Sequence, residues 1–179
     1  MNKGFTLLEL NLTIAILVII TAGLLISYPN LSAITSLKKT SQDMALAIRE
    51  AQVYSLGVKA FGAAEYYRGY GIHFDITQPS SLIIFSDIND DKDYQAGEEL
   101  QTLAIQTKDK IGALCGENGG PEDCTLTQLD IIFLRPNPIV ILQDESDTEY
   151  DKASIVLKSP RGQEKRVNVW LTGQIEISN

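Results

Sequence analysis

A single apolar segment close to the N-terminus limits what this chain can fold into. From Phe5 to Ile26 the sequence runs for 22 residues, and Glu9 is the only charged residue among them. At about 1.5 Å of rise per residue, a helix of this length extends about 33 Å, which is enough to cross a bilayer. A carboxylate inside such a segment costs about 2.5–3.5 kcal/mol on insertion scales. We therefore expect Glu9 to have a partner and a function.

Two simpler interpretations of the segment compete. An ordinary secretory signal has a shorter apolar core, of about 7–15 residues, and ends at a small-residue cleavage site. The residues that follow here, Ser27-Tyr28-Pro29-Asn30, provide no such site. A plain membrane anchor explains the length, but it gives no reason for a Glu near the start, directly behind Lys3-Gly4-Phe5.

The ungapped sequence Lys3-Gly4-Phe5-Thr6-Leu7-Leu8-Glu9 resembles the N-terminus of type IV pilins and pseudopilins, the type IV filament proteins. The resemblance implies that a prepilin peptidase cleaves between Gly4 and Phe5, which removes residues 1–4 as a leader, and that Phe5 is then methylated. It also implies that Glu9 meets the N-terminal amine of a neighbouring subunit during assembly.

The same resemblance implies the partners and the location. The partners are other pilin or pseudopilin subunits, the prepilin peptidase and the inner-membrane assembly platform. The expected location is the bacterial inner (cytoplasmic) membrane, crossed once with the head outside the cytoplasm. From there the subunit enters a filament in the periplasm or at the cell surface.

Two periodicities divide the rest of the chain. Up to Leu56 apolar residues recur at three- and four-residue steps, which predicts one long helix over residues 5–57, with residues 5–26 in the membrane or the filament core. Pro29 is a candidate bend and Gly57 a candidate C-cap. The predicted buried positions are Ile34, Leu37, Met44, Ala45, Ile48, Ala51 and Tyr54 or Ser55.

Beyond Gly57 the period changes to two, which is typical of half-buried strands. The predicted strands cover 70–75, 82–86, 100–106, 129–134, 139–143, 154–158, 166–171 and 174–177, with turns at 136–138 and 159–162. The fold class is therefore α+β. A long N-terminal helix, transmembrane in its first half, packs on an antiparallel β-sheet or small β-sandwich, and residues 58–179 form a β-rich head.

Composition and motif content argue against enzymes and general nucleic-acid binders. The formal net charge is −8, from 15 Lys+Arg and 23 Asp+Glu, whereas nucleic-acid affinity depends mainly on basic contacts. The single histidine, His73, alternates with Ile72 and Phe74 and is interpreted as an ordinary residue on a strand face. The sequence has no Gly-rich phosphate loop between a strand and a helix.

Three later motifs resemble minor pseudopilins of the H class in type II secretion and the related FimT-like minor pilins. They are Ile48-Arg49-Glu50-Ala51, then Phe85-x-Asp87-x-Asn89-x-Asp91 with Gly97-Glu98-Glu99-Leu100, and lastly Ser159-Pro160-Arg161-Gly162 with Arg166-Val167-x-Val169 and Gly173-Gln174-Ile175. The resemblance implies a minor subunit of a type IV pilus or of a type II secretion pseudopilus. A major pilin is the alternative, although major pilins often have a disulfide close to the C-terminus.

A further alternative is a FimT-like minor pilin that takes part in DNA uptake or adhesion. Four basic residues lie near one C-terminal hairpin and are the candidate DNA contacts: Lys158, Arg161, Lys165 and Arg166. Because Glu164 lies among them, we expect a few phosphate contacts at most, with an affinity that falls steeply with salt.

One acidic segment has the oxygen spacing of a calcium loop, and Ca²⁺ is the only cofactor that the sequence suggests. Side-chain oxygens occupy positions 1, 3, 5 and 12 of a twelve-residue EF-hand-type loop, at Asp87, Asn89, Asp91 and Glu98, with Asp93 and Gln95 at positions 7 and 9. Two features oppose this interpretation: Lys92 stands at position 6, where the turn normally requires Gly, and no flanking helices are predicted. The alternative is an acidic, solvated hairpin tip.

Cys115 and Cys124 are the only cysteines. In a domain exported across a membrane such a pair predicts one disulfide, worth about 2–3 kcal/mol by the chain-entropy estimate. Two cysteines without a second Cys or His pair do not make a zinc site. The chain between them is rich in turn residues and is predicted to be a loop: Gly116, Gly119, Gly120 and Pro121.

Overall fold

A computed structural model describes residue 4 and residues 6–57, 69–135 and 139–179. One helix, α1, covers Leu7–Gly57. Ten strands lie in the described residues: β1 Gly69–Asp75, β2 Ser81–Asp87, β3 Glu99–Ala104, β4 Lys110–Glu117, β5 Asp123–Leu126, β6 Gln128–Leu134, β7 Ile139–Gln143, β8 Lys152–Lys158, β9 Glu164–Trp170 and β10 Ile175–Ser178. Phe5, the start of the head at 58–68 and the predicted turn at 136–138 lie outside the described residues.

The helix α1 has two halves with different surroundings. Every residue from Thr6 to Leu25 is exposed, whereas Leu37, Met44, Ala45, Ile48 and Ala51 are buried, as their spacing predicted. Ile34 is 48 % exposed, because it precedes the turn at which the head begins to cover the helix. The backbone remains helical through Pro29, where a bend was a candidate.

The strands form two five-stranded antiparallel sheets. Sheet 1 has the order β3-β2-β1-β6-β7, and sheet 2 has the order β10-β9-β8-β4-β5. Side chains from α1 and from both sheets contribute to one core, for example Ile48 from α1, Phe74 from β1 and Ile155 from β8. The predicted α+β fold, with a long helix on antiparallel sheets, is confirmed.

The region around the cysteines differs from the prediction. The chain between the cysteines is a loop at residues 118–122, where Gly119, Gly120 and Pro121 lie as predicted, but it is flanked by two strands that were not predicted, β4 and β5. Gly116, the remaining glycine of the predicted loop, is inside β4, where a Cβ would lie 2.3 Å from Cδ1 of Tyr150. At Gly112 a Cβ would likewise lie 2.5 Å from Cδ of Lys158. These glycines allow close packing against a strand rather than reversing the chain.

Three hydrogen bonds, at two places along the helix, hold α1 where it leaves the head. The buried carboxylate of Asp109, in the β3–β4 connection, accepts hydrogen bonds at Oδ2 from the hydroxyls of Ser36 at 2.8 Å and Thr40 at 2.7 Å. Farther toward the N-terminus, Arg161 at the β8–β9 hairpin donates from Nη1 to Asn30 Oδ1 at 2.8 Å. Because hydrogen bonds to charged groups are the stronger ones, these contacts hold the helix at a defined angle to the sheets.

Candidate functional site

The N-terminal end of α1 is closed by a reciprocal pair of contacts between Thr6 and Glu9. The Thr6 hydroxyl oxygen accepts from the Glu9 N–H at 3.3 Å, and Glu9 Oε2 accepts from the Thr6 N–H at 3.4 Å. This is a capping box, in which two helix-end donors are satisfied by side chains. Both contacts are long, and both residues are exposed, so the carboxylate of Glu9 is accessible to a stronger partner.

The residues predicted for processing lie just outside this cap. Gly4 is exposed, and no atom lies within 4 Å of the position that a Cβ would take. Phe5 is not among the described residues. The apolar half of α1 behind the cap is long and apolar enough to cross a membrane, with a mean hydropathy of 2.4 in its most apolar window and none of that window buried.

The family model for the prokaryotic N-terminal methylation motif matches residues 1–25, the segment that contains this cap. The match supports a type IV pilin-like structural subunit. In type IV pilin-like proteins the motif implies processing by a prepilin peptidase and assembly with other pilin subunits. Comparison of the chain with curated proteins and with solved structures gives no match.

The acidic loop between β2 and β3, residues 87–98, has an exposed first half, with residues 88–92 all exposed, and contacts sheet 1 through residues of its second half. It folds back over the face of sheet 1 that is remote from α1. The ring of Tyr94 packs there, with its centroid 4.5 Å from that of His73 and 5.5 Å from that of Phe85. Gln143 Nε2 on β7 donates to the carbonyl of Lys92 at 2.5 Å.

Beneath the acidic loop lies a buried polar cluster that the sequence interpretation missed. His73 Nδ1 on β1 is 2.7 Å from Asp130 Oδ1 on β6, and Asp130 Oδ2 accepts from the N–H of Tyr94 at 3.4 Å. Burial, followed by the hydrogen bond and charge of Asp130, raises the pKa of Asp93 to about 6. His73 is therefore a paired, buried residue rather than an ordinary face residue. One signal was available: Asp130 stands between apolar Leu129 and Ile131, as His73 stands between Ile72 and Phe74.

The four candidate DNA-contact residues are engaged within the chain. Lys158 pairs with Glu164 at 3.0 Å, and Arg166 pairs with Glu122 at 2.6 Å. Lys165 donates to Asn179 Oδ1 at 2.6 Å, and Arg161 holds α1. Because consecutive strand residues point to opposite faces, Lys165 and Arg166 do not contribute to one phosphate-binding surface.

The two cysteine sulfurs are joined at 2.06 Å and link β4 to β5, an edge strand of sheet 2. Glu122 lies close enough that its carboxylate and both sulfurs fall within 4.8 Å of one another. Sulfurs bonded to each other are not thiolates, and the thiolate is the metal ligand. This group is therefore a disulfide that fixes the edge strand β5 to β4 rather than a metal centre.

We expect removal of the disulfide, by Cys115→Ala with Cys124→Ala, to lower the free energy of unfolding by about 2–3 kcal/mol, because a short loop is no longer closed in the unfolded chain. Denaturant unfolding of the full chain in detergent measures the difference. Reductant should destabilise the wild-type protein and leave the double variant unchanged. Two titratable thiols in protein from its native compartment would contradict this prediction.

Proposed function

We propose that this protein is a minor subunit of a type IV pilus or of a type II secretion pseudopilus, cleaved after Gly4 and assembled through Glu9. The observation that carries the proposal is the methylation motif at residues 1–25, which lies on the half of α1 that is exposed in the monomer. Such a surface requires either lipid or the equivalent helices of other subunits around it.

The proposed subunit is stored in the inner membrane with its head outside the cytoplasm. There the capping box with Thr6 is the only partner that the described residues offer to Glu9. On transfer to the filament core, the carboxylate gains the Phe5 amine of a neighbouring subunit, an opposite charge in a medium without water. A buried charge is strongly destabilising when unpaired and tolerated when paired. Glu9 therefore favours the one position of a subunit in the filament at which its carboxylate meets the neighbouring amine.

The minor-subunit assignment is supported by the position of the disulfide. It closes β4 on β5, whereas β8, β9 and β10 follow it in the chain. The three motifs that resemble H-class pseudopilins and FimT-like pilins supply the rest of the support. The engagement of the basic side chains within the chain favours a filament subunit over a DNA-capturing one.

Intact-mass measurement of the protein isolated from its own membrane tests the processing step. We expect a chain that begins at Phe5 and carries one added methyl group. The matched control is the same protein from cells without prepilin peptidase, which should retain residues 1–4 and lack the methyl group. A mature N-terminus at any other residue would overturn the proposed cleavage.

A further inference from the structure

The edge of sheet 1 that β3 forms is open. β3 pairs with β2 on one side, and no other described strand pairs with it on the other. Directly after β3, the N–H of Ile105 donates to the carbonyl of Ser80 at 2.8 Å. Because the direction of the N–H and C=O groups alternates along a strand, those of Thr102 and Ala104 point away from β2. Both residues are exposed, so their backbone groups are available to a further strand.

A groove, here called the β3 groove, runs along this edge between β3 and α1. Its volume is ≈ 270 Å³, and its described lining is mainly apolar: Met44 and Ala47 from α1, Leu82 from β2 and Leu103 from β3. Leu82 and Leu103 are opposite each other in the register of β2 and β3, so both side chains lie on the face of the sheet that packs on α1. The β3 groove therefore lies where one further strand of sheet 1 would place its inward side chains.

The charged residues in the described lining of the β3 groove are both acidic. Asp43 and Glu50 are two turns apart on α1 and therefore lie on the same side of the helix. Asp43 is exposed, and the half-buried Glu50 accepts a hydrogen bond from the hydroxyl of Tyr54. The whole chain has a formal net charge of −8. A second copy of this chain would bring like charge to the groove, whereas a basic partner is attracted to it.

We propose that the β3 groove binds an extended, basic segment of another protein, which adds to β3 as a further strand. The backbone of the segment pairs with the N–H and C=O groups of Thr102 and Ala104. Alternate apolar side chains fill the groove, and a Lys or Arg lies beside Asp43. In this mode of recognition the main-chain hydrogen bonds supply affinity, and the pockets for alternate side chains supply specificity. The inference is independent of the filament function.

The size of the site predicts a weak, reversible complex. β3 has six residues, so the paired segment is short. The interface is then smaller than the roughly 1,200 Å² that stable complexes bury, and contacts of this size are typical of transient partners. An equilibrium titration is therefore the suitable measurement.

The test uses the full chain in nanodiscs of zwitterionic lipid, because detergent would compete for an apolar groove. The probe is a fluorescent peptide in which Val alternates with Thr and Lys stands at both ends. We expect saturable binding by fluorescence anisotropy and none to empty nanodiscs. Absence of binding at about 1 mM peptide would overturn the proposal.

Two N-methylated forms of the peptide test the backbone pairing and leave the protein unchanged. Consecutive N–H groups of a strand point to opposite edges, so methylation of the Val amides blocks one edge and methylation of the Thr amides blocks the other. We expect one form to bind at least tenfold more weakly than the other. Equal affinities would overturn strand addition, since the groove would then take apolar side chains alone.

A proline on β3 tests the same pairing from the side of the protein. Ala104→Pro removes an outward N–H, and proline is tolerated on an edge strand where the N–H faces solvent. We expect at least tenfold weaker binding of the peptide and an unchanged Tm. Ala104→Ser is the matched control, because it retains the N–H. Equal binding by these two variants would contradict the proposal.

Charge reversal tests the preference for a basic segment. Asp43→Lys should weaken binding of the Lys-ended peptide at least tenfold. Glu149→Lys makes the same change of charge beside Gln143 of β7, at the opposite edge of sheet 1, and should leave the affinity unchanged. Equal losses in the two variants would overturn the proposed site, since they indicate general attraction of a cationic peptide to an acidic protein.

Discussion

Replacing Glu9 with alanine is expected to reduce entry into filaments at least tenfold, while the protein still inserts into the membrane. A tenfold effect corresponds to about 1.4 kcal/mol, less than a charge-assisted contact contributes in a medium without water. Insertion should persist because the apolar segment loses its only charge. Immunoblotting of sheared filaments against the membrane fraction measures both quantities.

The capping box requires two controls, because Glu9 also closes its own helix. Glu9→Gln retains an acceptor for the cap and removes the charge. Thr6→Val removes the hydroxyl of the cap and retains the charge. If assembly depends on the charge pair, the Gln variant should fail as the Ala variant does, and the Thr6 variant should assemble. The reverse pattern would assign the effect to the cap and refute the assembly role.

The helix and its buried face could be predicted because both depend on local spacing. Leu37, Met44, Ile48 and Ala51 recur at helical steps, and a period read along one segment requires no knowledge of its partners. Ile34 fits the same period but is exposed, since the period does not say where the head begins to cover the helix. The local pattern thus specifies which face of the helix is buried, whereas the length of helix over which that face is buried depends on tertiary packing.

The strands around the cysteines and the cluster under the acidic loop could not be predicted in the same way. Gly116 looks like a turn residue until Tyr150, 34 positions later, is known to pack on it. His73 and Asp130 are 57 positions apart and meet only because β1 pairs with β6. The spacing of oxygen-bearing side chains in the acidic loop could be read from the sequence. The burial of Asp87 could not, because it depends on which parts of the chain pack over the end of β2. Contacts of this kind are set by sheet order.

Replacing Ile48 with aspartate is expected to unfold the head. Ile48 is fully buried on the face of α1 that packs into the core shared by both sheets. An ionised carboxylate there would have no partner, and burial of an unpaired charge costs several kcal/mol. That is comparable to the whole stability of a domain, about 5–15 kcal/mol. Ile48→Ala should cost less, about 2–5 kcal/mol, and leave a folded head that can be measured.

Leu46→Asp is the matched control, two positions away on the same helix. Leu46 is 62 % exposed, so the same new charge remains in water and should change the free energy of unfolding by about 0.5 kcal/mol or less. Trp170 on β9, the only tryptophan, reports unfolding of the head by fluorescence during denaturant titration in detergent. If the two aspartate variants unfold at the same denaturant concentration, α1 does not pack on the sheets by the face described. In that case the head folds without the helix, and α1 serves only as the membrane segment.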